Sequence, residues 1–177
     1  MTYRSPRINH SMIELKARVN SPIAIRVWLG KDGARKVGAF HQVDTYYQIP
    51  QGRLKLREVE GTPNAELIYY EREDVAGPKR SSVLILEIQD PNALKQILGR
   101  IVGIKVVVDK VREIFFYENI QVNLDQVSGL GSFVEFELVT SQNLKNQEQG
   151  SAKVEKLREQ LGISPKDLQR YSYSDLI

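Results

Sequence analysis

Apolar and polar residues alternate along most of this chain, the period of strands with one dry face and one wet face. Between Met12 and Val19 the apolar positions are Ile13, Leu15, Ala17 and Val19, while Met12, Glu14, Lys16 and Arg18 share the other face. The strand pattern returns over Ala34–Gln48, Arg53–Val59, Glu66–Arg72, Val83–Ile88, Ile104–Asn119 and Ile120–Val127. It returns once more after Gly129-Leu130-Gly131, where Phe133, Glu135 and Glu137 oppose Val134, Phe136 and Leu138. Turns are expected at Pro50-Gln51-Gly52 and Gly61-Thr62-Pro63, and Glu73–Ser82 reads as a charged loop.

Helical periods interrupt this pattern in a few places. Asn20-Ser21-Pro22 starts a helix whose apolar stripe runs over Ile23–Leu29, with Trp28 in the core and Gly30 and Gly33 closing it. Asp90 and Pro91 cap a second helix that carries Leu94, Ile97, Leu98 and Ile101 on one face and ends at Gly103. Thr140–Gly150 is expected to be a polar, mobile connection. Ala152–Leu161 is then a helix ending at Gly162, and Ser164-Pro165-Lys166-Asp167 starts a last short one. The tail, with Tyr171, Tyr173, Leu176 and Ile177, is apolar enough to dock back on the body.

Runs of strands separated by few helices argue for an antiparallel α+β fold. The charges gather on one face of each strand: Glu14, Lys16, Arg18, Arg53, Lys55, Arg57, Arg72, Lys110, Arg112, Asp125, Glu135 and Glu137. One antiparallel sheet closed around a polar interior, with helices packed outside, would collect all of them in a tunnel. The plainer reading makes these faces solvated outer surfaces laced by cross-strand ion pairs.

Length and composition narrow the chemistry. The chain has 177 residues, enough for a single domain over 1–177 with a core at about 11–140 and C-terminal helices at about 150–177. It has no cysteine, which excludes disulfides, thiol nucleophiles and thiolate zinc sites, and only two histidines, His10 and His41. Any metal must therefore be held by oxygen, which favours Mg²⁺, Mn²⁺ or Ca²⁺. Met1–Ser11 is polar and not a signal peptide, no segment is long enough to span a membrane, and the cytoplasm is the expected location. The net charge of +3 allows an anionic partner without requiring nucleic acid.

Glu135 and Glu137 repel each other unless a cation is near, either a metal ion or a ring of Lys and Arg. A cavity holding many cations and a few carboxylates suits a triphosphate with a divalent metal. The cations neutralise phosphate oxygens, and no protein nucleophile is needed. A basic sheet face for nucleic acid is the rival. Tyr46 and Tyr70 could stack bases, but Glu14, Glu135 and Glu137 would repel a phosphate backbone.

The ordered motifs Glu14-Leu-Lys16, Asp44-Thr-Tyr46, Leu54-Lys-Leu-Arg57, Glu66-Leu-Ile-Tyr-Tyr-Glu-Arg72, Gly77-Pro-Lys79, Lys110-Val-Arg112, Leu124-Asp125, Gly129-Leu-Gly131 and Glu135-Phe-Glu137 resemble the CYTH superfamily of triphosphate tunnel metalloenzymes. The class IV adenylyl cyclase-like branch is the nearest in pattern. The resemblance runs from about Met12 to Leu138 and resumes in the Tyr171–Leu176 tail. It implies an eight-stranded tunnel that binds a small triphosphate (ATP, thiamine triphosphate or tripolyphosphate) with Mg²⁺ or Mn²⁺ and hydrolyses or cyclises it. It makes Glu14, Glu135 and Glu137 metal ligands. It makes Lys16, Arg18, Lys55, Arg57, Arg72, Lys79, Lys110 and Arg112 the phosphate grip. Lys16 and Asp125 become catalytic, with Asp125 orienting a basic neighbour or the attacking water. A homodimer is compatible with the chain; no membrane or nucleic-acid partner is expected. One position departs from the family's Glu-x-Glu-x-Lys strand, which here reads Met12-Ile-Glu14-Leu-Lys16. A thioether does not replace a carboxylate for a hard cation. The alternative is therefore a non-catalytic triphosphate binder with incomplete metal ligation.

Overall fold

Alternation of buried positions to two faces is what lets a single sheet curl into a barrel with a polar inside. In the computed structural model, which describes residues 9–140 and 143–177, eight antiparallel strands do this. They are β1 (Asn9–Arg18), β2 (Arg35–Tyr47), β3 (Arg53–Val59), β4 (Ala65–Arg72), β5 (Lys79–Ile88), β6 (Ile104–Tyr117), β7 (Ile120–Val127) and β8 (Gly131–Thr140). Around the barrel the order is β1-β5-β4-β3-β2-β6-β7-β8, closing on β1. Residues 1–8 and 141–142, which hold most of the polar N-terminal stretch and part of the Thr140–Gly150 connection, lie outside the described residues.

Three helices cover the outward apolar positions. Helix α1 (Ile23–Lys31) and α3 (Leu144–Gln160) share one core, in which Ile25, Leu29, Val154 and Leu157 pack on Ile13, Leu15, Phe136 and Leu138. Gly150 lets α3 lie this close: a Cβ there would stand 3.2 Å from both Ile13 and Leu138. Trp28 packs edge-on against Tyr117 at 5.2 Å. Helix α2 (Pro91–Ile101) begins with the Asp90 carboxylate accepting the Ala93 amide and Pro91 in its first turn. Its Leu94 and Leu98 pack on Tyr47, Leu56 and Ala65.

Two sequence expectations need correction. The charged loop is shorter than Glu73–Ser82, because β5 starts at Lys79 and pairs its first residues with β1. Apolar residues begin only at Val83, so the polar start of this inward-facing strand looks like loop in one dimension. The expected connection at Thr140–Gly150 is helical from Leu144, capped by Asn143, whose side chain accepts the Lys145 amide. Its polar composition reflects a helix with a narrow buried stripe. Among the described residues, no helix is long and apolar enough to cross a membrane.

The tail does dock. Leu168 bridges to Ala17 and the Gln169 amide donates to the Lys16 carbonyl. A short 3-10 turn, Tyr173–Asp175, then seats against the barrel end formed by Arg18, Arg53 and the start of β6.

Candidate functional site

The inward residues of the strands line a cavity of about 210 Å³ inside the barrel. Glu14 and Lys16 enter it from β1, Lys55 and Arg57 from β3, Arg72 from β4, Lys110 and Arg112 from β6, and Glu135 and Glu137 from β8. The closed sheet therefore brings together residues that span more than a hundred positions of sequence. The register explains the neighbours: Glu14 stands opposite Glu137, and Lys16 opposite Glu135.

Two buried carboxylates organise the cations. Asp44, fully buried, takes both oxygens of its carboxylate to Arg57 at 2.7 and 2.8 Å, and accepts Lys55 and Lys110 at 3.0 Å each. Asp125 takes the Arg112 fork at 2.7 and 2.6 Å and the Tyr173 hydroxyl at 2.7 Å. Lys16 pairs with Glu135 at 2.9 Å and sits 3.4 Å over the Tyr173 ring. Arg112 also reaches Glu135, and Arg72 holds Glu14. Neither Asp44 nor Tyr173 stands among the site residues inferred from sequence. Asp44 is signalled by parity with Gln42 and Tyr46 and by its place in the Asp44-Thr-Tyr46 motif, whereas Tyr173 is marked only by its place in the Tyr171–Leu176 tail, and no periodic pattern gives it a role. Gln121 and Asn123, which donate to Glu137 at 3.2 and 3.0 Å, share the parity of Asp125 on β7.

Burial and charge set the protonation pattern. The carboxyl of Asp44 is buried, yet Arg57, Lys110 and Lys55 hold it well below the usual range. Burial likewise opposes ionisation of Glu135, but Lys16, Arg112 and Lys110 keep it low. Glu137 is pushed up, by burial first and then, against the pull of Arg112, by the neighbouring Glu135 and Glu14 charges. Burial brings Lys55 down to about 7, reinforced by Arg57, and Lys110 down to about 8.

The lysines give a pH prediction with two opposite signs. A lysine's folded pKa below its unfolded value, near 10.4, means that the unfolded chain binds more protons between the two. The cost of burying charged Lys55 and Lys110 is therefore complete below about pH 7 and relieved as pH climbs toward 10. Chemical denaturation of the free protein should show stability contributed by these groups rising from pH 7 to 10. Affinity for a polyanion in the cavity should fall over the same interval, as the two ammonium groups discharge. Parallel movement of the two quantities would contradict the placement.

Two of the residues expected to grip phosphate do not join the group. Arg18 is exposed; its guanidinium donates to the Leu130 carbonyl and lies over the Phe133 ring, at the barrel end that the tail covers. Lys79 is buried, but its ammonium is held by the carbonyls of Val75, Gln169 and Arg170, so it anchors the tail. Asp125 orients a basic neighbour, Arg112, and does not line the cavity.

The carboxylates Glu14, Glu135 and Glu137 all face the cavity, and an all-oxygen set suits Mg²⁺ or Mn²⁺. Glu137, crowded by two like charges, is the carboxyl that a dication would relieve most. As the side chains stand, Arg72 and Arg112 occupy Glu14 and Glu135, and no group of three metal-ligating residues converges among the described residues. The donor chemistry fits a divalent ion, provided that the two arginines exchange their carboxylates for phosphate oxygens.

Buried donors without acceptors mark where such oxygens belong. Arg72 gives one nitrogen to Glu14, but its Nε and Nη2 are buried and have no partner, and its side chain is only 3% exposed. Ser81 faces it across the β4–β5 pair, and the Ser81 hydroxyl is also buried and unpartnered.

Comparison with known proteins converges on one family. The CYTH domain matches residues 10–173. A Methanocaldococcus jannaschii protein provisionally named an adenylate cyclase is 24% identical over 180 residues, covering 93% of this chain and 97% of its own. A solved protein of Pyrococcus horikoshii OT3 superposes with a TM-score of 0.85 at 28% identity, over 94% of this chain and 99% of that one. A Hippeastrum protein, described as an adenylyl cyclase candidate with a dominant triphosphatase activity, shares the fold at a TM-score of 0.62 and 17% identity, over 93% of both chains.

Proposed function

Because the chain belongs to the CYTH domain family, we propose that its barrel binds a triphosphate and carries out metal-dependent phosphoryl chemistry on it. The observation that carries this reading is the buried Arg72 guanidinium, with two donors unpartnered beside the equally unpartnered Ser81 hydroxyl. A buried cation with open donors calls for an anion with several oxygens. Around it stand Lys16, Lys55, Arg57, Lys110 and Arg112, within the reach of a chain of phosphates.

The charge balance of the interior argues for a metal complex over a bare anion. Among the described residues, the six cavity-lining cations (Lys16, Lys55, Arg57, Arg72, Lys110 and Arg112) face three cavity-lining carboxylates (Glu14, Glu135 and Glu137) and are backed by the buried Asp44 and Asp125, so the protein's own charge there is close to neutral. A naked triphosphate would leave a large negative excess in a low dielectric, and a divalent ion would cancel much of it. Glu14, Glu135 and Glu137 are the residues that would hold Mg²⁺ or Mn²⁺, which supplies charge neutralisation at the phosphate oxygens. Asp44 and Asp125 hold the Nε–Nη2 edges of Arg57 and Arg112 rigid, so that the outer N–H groups of these guanidiniums would be turned to the phosphates. Lys16, wedged between Glu135 and the Tyr173 ring, is placed to bond a phosphate oxygen as charge develops there.

Hydrolysis and cyclisation share this grip and differ in the attacking oxygen, water in one and a ribose hydroxyl in the other. Phosphorus NMR after incubation with tripolyphosphate, thiamine triphosphate and ATP, each with Mg²⁺ and then Mn²⁺, separates them. Orthophosphate identifies a triphosphatase, and pyrophosphate with cyclic AMP identifies a cyclase. Either product should disappear in Glu137→Gln. Failure to bind any triphosphate would overturn the proposal.

A second reading, a binder without turnover, draws on Met12, which lines the cavity where the family's strand has a carboxylate. Met12→Glu is expected to tighten Mg²⁺ binding about tenfold or raise turnover by a similar factor, since each added carboxylate is a further hard ligand. Isothermal titration with Mg²⁺ measures it; an unchanged affinity would mean that Met12 does not stand at the metal position.

A further inference from the structure

The tail sends one side chain into the site, and that side chain engages Lys16 directly and Arg112 through Asp125. Tyr173 is buried and lines the cavity, although it comes from outside the barrel strands. Its ring meets Phe133 of β8 edge-on, with centroids 5.0 Å apart. The Lys16 ammonium stands 3.4 Å from the ring centroid and the Lys110 ammonium 5.4 Å. The hydroxyl donates to Asp125 Oδ2 at 2.7 Å, the same oxygen that accepts Nη2 of Arg112. Burial first, then the Asp125 and Glu135 charges, keeps this phenol protonated, so it is a fixed donor.

A tyrosine that served only to plug the barrel end would need its ring buried and its hydroxyl satisfied by any acceptor. Here the hydroxyl and the ring face both engage charged side chains of the grip or their supports. Lysine has a long, flexible stem and is costly to hold in one direction. With Glu135 accepting from Lys16 at 2.9 Å and the ring closing the side beneath, the ammonium is confined before any ligand arrives. Asp125, bonded by both Arg112 and Tyr173, keeps a fixed carboxylate plane, and with it the plane of the Arg112 guanidinium. The tail is fastened on either side of this residue. Ser172 and Tyr70 share a hydroxyl bond of 2.8 Å, the Gln169 amide donates to the Lys16 carbonyl at 2.8 Å, and Asp175 accepts from Arg53 and Lys105.

We propose that Tyr173 is a positioning residue of the triphosphate site: its ring sets the direction of the Lys16 ammonium, and its hydroxyl, acting through Asp125, sets that of Arg112. This rests on the triphosphate reading above and deepens it, because it makes the tail part of the site.

The test joins a spectroscopic signature to an affinity. In the proton NMR spectrum, the Lys16 methylene beside the ammonium should be shifted upfield of the exposed lysines by the ring current of Tyr173. The shift should persist in Tyr173→Phe and vanish in Tyr173→Leu. Isothermal titration with tripolyphosphate in EDTA, where no turnover intervenes, measures the grip. Tyr173→Phe should weaken binding about threefold, through one lost hydrogen bond to a charged group. Tyr173→Leu should weaken it about tenfold or more, because the ring is lost as well. Val154→Ala, a cavity-forming change in the core beneath α3 and away from the lining, costs stability by another route and should leave affinity within about twofold. Tyr173→Phe keeps the packing of the ring, so the comparison with Val154→Ala stands even where Tyr173→Leu fails to fold. A Lys16 methylene at the ordinary position in the unaltered protein, or a loss in Tyr173→Phe no greater than in Val154→Ala, would overturn the inference and leave the triphosphate reading standing. An unaltered protein that binds no tripolyphosphate would remove that reading, and this inference with it.

Discussion

Replacing Arg112 by Ala should unfold or nearly unfold this protein, at a cost of about 3–5 kcal/mol, the range for breaking a buried ion pair from one side. The guanidinium lies at the centre of the carboxylate half of the barrel. It neutralises Asp125 through a two-bond fork, contacts Glu135, and reaches Glu137 at 3.5 Å. Its removal leaves the buried Asp125 and the partly buried Glu137 without their arginine, Glu135 with Lys16 alone, and Asp125 with the Tyr173 hydroxyl. Chemical denaturation measures the loss. Combining Arg112→Ala with Asp125→Asn should cost less than the sum of the two, because the second change removes one stranded charge. Strict additivity would show that the pair is not coupled. Arg112→Lys should restore part of the stability and little of the phosphate affinity, since an ammonium cannot make the fork.

Asp44→Asn should have the second largest effect, with a different signature. The substitution keeps the shape and removes the carboxylate that Lys55, Arg57 and Lys110 share. Three buried cations then repel one another, and a loss of about 3 kcal/mol is expected. Asp44 is the partner that raises the pKa of Lys55, against burial and Arg57, so the lysine should discharge at still lower pH in the variant. An anion can replace what was removed. Tripolyphosphate should therefore raise the thermal midpoint of Asp44→Asn by more than it raises that of the unaltered protein. A smaller rise in the variant would mean that Asp44 builds the site and that the three cations are not a phosphate grip.

Acid should act through the same groups. Asp44 and Glu135 have folded pKa values below their unfolded ones. Their contribution is thus complete above about pH 4 and lost as pH falls through the lowered folded values.

Much of this architecture was legible in one dimension because a strand repeats every two residues. Parity alone sorted Glu14 and Lys16 from Ile13 and Leu15, and put Lys55 with Arg57 and Lys110 with Arg112. It gave closure of the sheet as the economical way to use so many one-sided strands, and the barrel bears this out. Parity carries no information about depth, however. Arg18 shares a face with Glu14 and Lys16, yet two further residues along β1 carry it out of the cavity to the covered end of the barrel. Lys79 fell in an apparent loop because its strand begins with polar residues.

The sequence by itself determined which side chains point inward, and hence a charged interior without thiols and with almost no imidazole. Only the tertiary structure decided who neutralises whom. That Asp44 gathers three cations and that Tyr173 from the tail caps Asp125 depend on strand register and on a tail more than thirty residues beyond the last motif strand. Ion pairing is settled over a few ångströms in three dimensions, and a period along the chain cannot encode a distance across the barrel.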